Sequence, residues 1–235
     1  MITEHTVLWA ILGGFIPALF WLWFWLREDT VHPEPRGLIV LAFFAGMIAA
    51  PLALPLEKLV SSYGLGNGLT FLLWAVIEET LKFTAAYIAA LEKKNMNEPV
   101  NALIYLMTAA LGFSAIENTF FLLQPLASGS IVETLLTGNL RFIGASLLHI
   151  VSSAMVGLFM ALSFYRSEGV KKMYIIGGLF FAIVLHTLFN FFIIEGNNTF
   201  MVFAGVWIAA IVLMVFFEKV KSIKPSQIQL ETKTQ

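Results

Sequence analysis

The sequence predicts an all-α, polytopic membrane helix bundle of about seven transmembrane helices, with the N-terminus outside and the C-terminus in the cytoplasm. Three observations lead there. The 235 residues are 59% hydrophobic and only 12% charged, with mean hydropathy +0.84, whereas soluble domains are about one-quarter charged. Apolar runs of about 20 residues recur along the chain, the length needed to cross a hydrocarbon core about 30 Å thick. Basic residues are also distributed very unevenly between alternate connections, and Lys and Arg collect on the cytoplasmic side of membrane proteins.

The predicted spans are approximately 7–26, 37–56, 70–91, 99–123, 141–165, 173–194 and 199–217. The first has only Glu4 and His5 ahead of it and runs the full length of a span, so it reads as a retained helix and not as a cleaved signal peptide. "REDTVHPEPRG" separates it from the second, and "EKLVSSYGLGNG" supplies the turn before the third. "EKKNMNE" precedes the fourth span and "QPLASGSIVETLLTGN" the fifth, followed by "RSEGVKK" and "EGNN". With this layout Arg27, Arg36, Lys93, Lys94, Arg166, Lys171, Lys172, Lys219, Lys221, Lys224 and Lys233 fall on one side, and only Lys58 and Arg141 on the other. Residues 1–218 read as one transmembrane domain and 219–235 as a polar cytoplasmic tail, expected to be disordered. No basic stripe suggests nucleic-acid binding, and the absence of cysteine removes thiolate chemistry and disulfides.

Several spans contain residues that are costly in lipid. "WAVIEETLKF" carries Glu78, Glu79 and Lys82, with Lys82 one helical turn from both carboxylates. The fourth span has Glu117 and Asn118, the fifth has His149, and the sixth has His186 and Asn190, four residues apart on one face. With alternating span directions, all of these lie about 10–13 Å beneath the outer surface at 1.5 Å per residue. Any one buried polar side chain can serve as interhelical glue, and Asn118 and Ser114 read equally well that way. Three glutamates and two histidines at one depth instead point to a single site between helices.

Two chemistries suit such a site. In hydrolysis, a carboxylate near an imidazole activates water and a polar pair holds the developing oxyanion. In proton- or cation-coupled transport, the same groups relay or bind the ion. Transporters usually show repeated halves and broken helices, and neither is evident in the sequence.

"EETLKF" resembles the EExxK motif of the PrsW family of intramembrane proteases, in the superfamily of CAAX-processing enzymes and bacteriocin-related immunity proteins. "GFSAIEN" matches that family's FxxxEN segment, with Phe113, Glu117 and Asn118; His149 matches its histidine span, "HTLFN" its HxxxN motif, and "DTVHPEP" looks like its acidic Glu-Pro segment. The resemblance implies site-1 cleavage of a single-pass membrane protein, such as an anti-sigma factor, near the external face of the cell membrane. The lipid bilayer is its other partner. It makes Glu78, Glu79, Glu117, His149, His186 and Asn190 the catalytic set, with Lys82, Phe113 and Asn118 in support. Glu78 is the favoured base, Glu79 its Lys82-held neighbour, His186 and Asn190 the oxyanion donors, and Glu117 and His149 orient the base or complete the site. No cofactor is favoured. Zinc is the alternative, with Glu79, Glu117, His149 and His186 as its donors. A non-catalytic binding or immunity protein of the same fold is the runner-up reading.

Overall fold

A computed structural model describes residues 2–28, 33–196 and 198–224. The chain forms α1 (Glu4–Glu28), α2 (Arg36–Ser62), α3 (Asn67–Ala86), α4 (Pro99–Ser128), α5 (Ile131–Leu140), α6 (Ser146–Leu162), α7 (Glu168–Ile194) and α8 (Thr199–Lys221). A π-helical turn at Tyr87–Leu91 extends α3, and another at Arg141–Ala145 joins α5 to α6. Six helices, counting Ile131–Leu162 as one, are long and apolar enough to cross a membrane. α3 makes the seventh in the bundle. It packs against α2, α4, α6 and α7, and carries three charges, Glu78, Glu79 and Lys82, in its middle. His32 and residues 225–235, most of the expected tail, lie outside the described residues.

Burial follows packing and not hydrophobicity. The most apolar stretch of α4 is 94% buried, against 22% for that of α8, although α4 carries Asn101, Thr108, Ser114 and Asn118. In lipid there is no hydrophobic force between helices, so small residues that allow close approach decide which helix becomes central. Gly46 of α2 lies against the Ala109 carbonyl, and Gly112 of α4 against the Phe43 carbonyl, each so close that a Cβ would overlap the oxygen. Gly14 of α1 meets the backbone of Ala115 and Thr119 in the same way. Gly112→Ala is therefore expected to push α2 away from α4 and cost about 1–3 kcal/mol, measurable as a lower unfolding midpoint in detergent.

The expected connection at 124–140 is mostly helix. α4 continues to Ser128, Gly129 takes the left-handed conformation (φ 75°) as its C-cap, and Ser130 caps α5 by accepting from the Glu133 amide. Gly129 alone supplies the positive φ that the turn requires; Pro125 and Gly138, which read as breakers in the sequence, lie inside helices. Similarly, α2 runs past the expected 56 to Ser62, which brings Glu57 into a helix. A π turn at Arg141–Ala145 lies within the long helix Ile131–Leu162, which stays continuous through it.

Candidate active site

Glu78 and Glu79 are adjacent on α3, so their side chains diverge by about 100°. Glu79 turns into the bundle. Its Oε1 accepts from Lys82 Nζ (2.6 Å) and Ser152 Oγ (2.9 Å) and meets His186 Nδ1 (2.6 Å), while Oε2 accepts from Ser153 Oγ (3.4 Å). Four groups from α3, α6 and α7 thus converge on a carboxylate that is almost wholly buried. Glu78 turns toward a cavity of about 420 Å³ that Glu117, Arg141, His149, His186 and Asn190 also line. Its Oε2 is buried without a hydrogen-bond partner, 3.9 Å from His149 Nδ1 and 3.8 Å from His186 Nε2.

The two imidazoles are held in matching ways. His149 places Nε2 2.8 Å from Glu117 Oε2, and Lys82 Nζ is 3.0 Å from its Nδ1. An ammonium can only donate, so this network assigns the lone pair to Nδ1 and the proton to Nε2. His186 places Nδ1 on Glu79 and leaves Nε2 facing Glu78. Each ring therefore has a carboxylate on its far nitrogen and directs its near nitrogen toward Glu78. The rings lie 5.4 Å apart, nearly perpendicular. Phe113 packs on His149, and Lys82 lies 5.2 Å above the Phe113 ring. Beyond Glu117, Arg141 donates to Glu117 Oε2 and Asn118 Oδ1, and Asn118 donates to Ser114 and Ser146.

All nine residues singled out in the sequence lie in this cluster or on its cavity. Their contacts group them as follows. Among the described residues, the one group of donors spaced for a metal is Glu78, His149 and His186, with ligand atoms within 4.8 Å of one another. Glu79 and Glu117, expected among the donors, instead sit on the far nitrogens of the histidines. His186, expected to share the oxyanion with Asn190, has one nitrogen on Glu79 and the other toward Glu78. The sequence reading missed Arg141, Glu57, Ser146, Ser152 and Ser153. Arg141 left a trace as one of only two basic residues on the sparsely charged side, and Ser152 and Ser153 fall one turn after His149. Glu57 falls in the expected connection after the second span and lies in α2.

A helix bundle with six helices long and apolar enough to cross a membrane, enclosing acidic and imidazole groups around a cavity, has the groups that a polytopic membrane hydrolase needs. Comparison with known proteins agrees. The sequence profile described as PrsW family intramembrane metalloprotease matches residues 34–217. Among similar proteins are Protease PrsW of Halalkalibacterium halodurans, 26% identical over 90% of this chain and 95% of the relative, and that of Clostridioides difficile, 26% identical over 77% of each. Protease PrsW of Bacillus subtilis is 20% identical over 80% of this chain and 84% of the relative. No solved structure matches significantly. The chain belongs to the PrsW family of intramembrane proteases, and it is a membrane-embedded peptide hydrolase.

Proposed function

We propose that this protease makes the first cut in a single-pass protein of the cell membrane, such as an anti-sigma factor, near the external end of the substrate's helix. The reacting centre is the pocket between Glu78, His149 and His186. The observation that supports this reading is the unpartnered Glu78 oxygen. Glu79 is bonded on both oxygens and Glu117 Oε2 is held by Arg141 and His149, whereas Glu78 Oε2 faces the two imidazoles without a hydrogen bond, free to act on a water admitted to the pocket. The Glu78 carboxylate takes a proton from water as the oxygen adds to the scissile carbonyl, and then delivers it to the departing amine. Asn190, on the cavity wall one turn beyond His186, donates to the carbonyl oxygen as it gains charge.

A metal-assisted variant has specific support. The carboxylate–imidazole–imidazole donor set at Glu78, His149 and His186 matches a catalytic zinc site in chemistry, and both histidines carry the carboxylate on the remote nitrogen that such ligands usually have. The residues therefore fit the group that the family description implies. A bound zinc-class ion would supply Lewis-acid polarisation of the carbonyl and a lower pKa for water. In that variant Glu78 becomes a ligand, and Glu117, on the cavity wall, moves the proton. Lys82, 3.0 Å from His149 Nδ1, is the feature least suited to a neighbouring cation.

A substrate backbone in a regular helix is hydrogen-bonded and shielded, so the cut belongs where the helix ends or unwinds. Co-expression with single-pass substrates, followed by mass spectrometry of the released ectodomain, should place the cut within about ten residues of the helix's outer end, since the site sits about 10–13 Å down. A cut on the cytoplasmic side would overturn the orientation. Treating purified protein with a strong chelator, then restoring zinc, separates the two chemical variants: loss and recovery of cleavage supports the metal, and undiminished cleavage supports Glu78 alone.

A further inference from the structure

We propose that Arg141 is a positioning residue of the catalytic centre. It acts through Glu117 on His149, and a π turn in its helix brings it there. The inference rests on the reading that the pocket between Glu78, His149 and His186 is the reacting centre.

The geometry comes first. Arg141 opens the π-helical turn Arg141–Ala145, and His149 follows eight residues later in α6. On an unbroken α-helix two residues so spaced would diverge by about 80°. A π turn takes up about one extra residue without advancing the helix face, and so cancels about 100° of that rotation. Arg141 and His149 then face the same neighbour, and both reach one atom. Arg141 Nη2 donates to Glu117 Oε2, and His149 Nε2 lies 2.8 Å from that same oxygen.

The chemistry follows from the shared oxygen. Glu117 fixes the tautomer and ring direction of His149 only if its own carboxylate is held. Its side chain is 20% exposed and lines the cavity, so it has open space to turn into. Arg141 holds it with one nitrogen and is itself held by another: Nε donates to Asn118 Oδ1, and Asn118 is anchored on Ser114 and Ser146. The guanidinium carbon also lies over Phe121, 3.9 Å from the ring centre. The planar fork matches this two-acceptor arrangement, and a lysine would not. The contacts Arg141 makes toward the reacting centre thus run through Glu117 to His149.

The test is steady-state cleavage by the full-length protein in proteoliposomes, with separate kcat and KM, for Arg141→Gln, Arg141→Lys, Glu117→Gln and the Glu117→Gln/Arg141→Gln double variant. Thermal unfolding runs in parallel, and Glu78→Gln is the control. Arg141→Gln should lower kcat by about 10–100-fold with KM nearly unchanged. Arg141→Lys should recover part of the loss, and it keeps the charge if Arg141→Gln fails to fold. The double variant should be no slower than Glu117→Gln within a factor of about 2, because residues acting through one contact are not additive. A wild-type kcat in Arg141→Gln, a raised KM with kcat intact (a substrate contact), or losses that multiply in the double variant would each overturn the proposal. An active Glu78→Gln would instead sink the reading of the reacting centre and this proposal with it; an inactive Glu78→Gln beside a fully active Arg141→Gln sinks only the role of Arg141.

Discussion

Glu78→Gln should lower cleavage by about 10²–10⁴-fold, the usual contribution of a general base, while the protein stays folded. The amide keeps the size of the side chain and removes the charge. The Glu78 Oε2 it alters makes no hydrogen bond, so no folded contact is lost there. Removing an unpaired carboxylate from membrane depth should relieve a solvation cost, so stability should hold or rise slightly. Both chemical variants require this loss, because Glu78 is the base in one and a ligand in the other. Glu79→Gln is the instructive contrast. It strips the charge that balances Lys82 and weakens bonds to His186, Ser152 and Ser153, so it should lower stability and activity together. Cleavage assays beside unfolding curves for the two variants make the comparison. Near-normal cleavage by Glu78→Gln with loss only in Glu79→Gln would reverse the two roles.

Lys82→Ala should cost about 3–5 kcal/mol of stability, because removing one partner of a buried ion pair strands the other. Lys82 is wholly buried, its ammonium bonded to Glu79 and to His149 Nδ1 and stacked over Phe113. Nothing in the alanine variant replaces that positive charge. Much of the loss should disappear in Lys82→Ala/Glu79→Gln, where the stranded carboxylate is gone as well. Denaturant titration of the purified variants in detergent would measure it. If Lys82→Ala unfolds within about 1 kcal/mol of the parent, in the range of an exposed pair, the buried-pair account is wrong.

The structure adds two π turns and a longer fourth helix to the expected spans and leaves seven helices in the bundle. Gly129 was readable as one of several turn signals in "QPLASGSIVETLLTGN", but which of Pro125, Gly129 and Gly138 ends a helix depends on the caps around it. The π turn at Arg141–Ala145 has no composition signal, since "RFIGA" would suit an ordinary helix. Its consequence, Arg141 and His149 meeting at Glu117, was therefore hidden even though Arg141 stood out by charge. Glu57 was hidden for a simpler reason: helix ends are set by packing and capping to within a turn or more, and α2 outlasted its apolar run.

By itself the sequence determined that the chain is a polytopic helical membrane protein and which residues are out of place in lipid. Both follow from solvation, a local property of each side chain: about 20 apolar residues suffice for a span, and a glutamate or histidine inside one is conspicuous. Only the tertiary structure decided how those residues divide the work. Glu78 and Glu79 are chemically identical and adjacent, and what separates them is that Ser152, Ser153, His186 and Lys82 close around one while the other faces a cavity. That difference arises from the rotation of α3 against α6 and α7. Rotation of one helix against another is set by close packing between helices, which no single stretch of sequence contains.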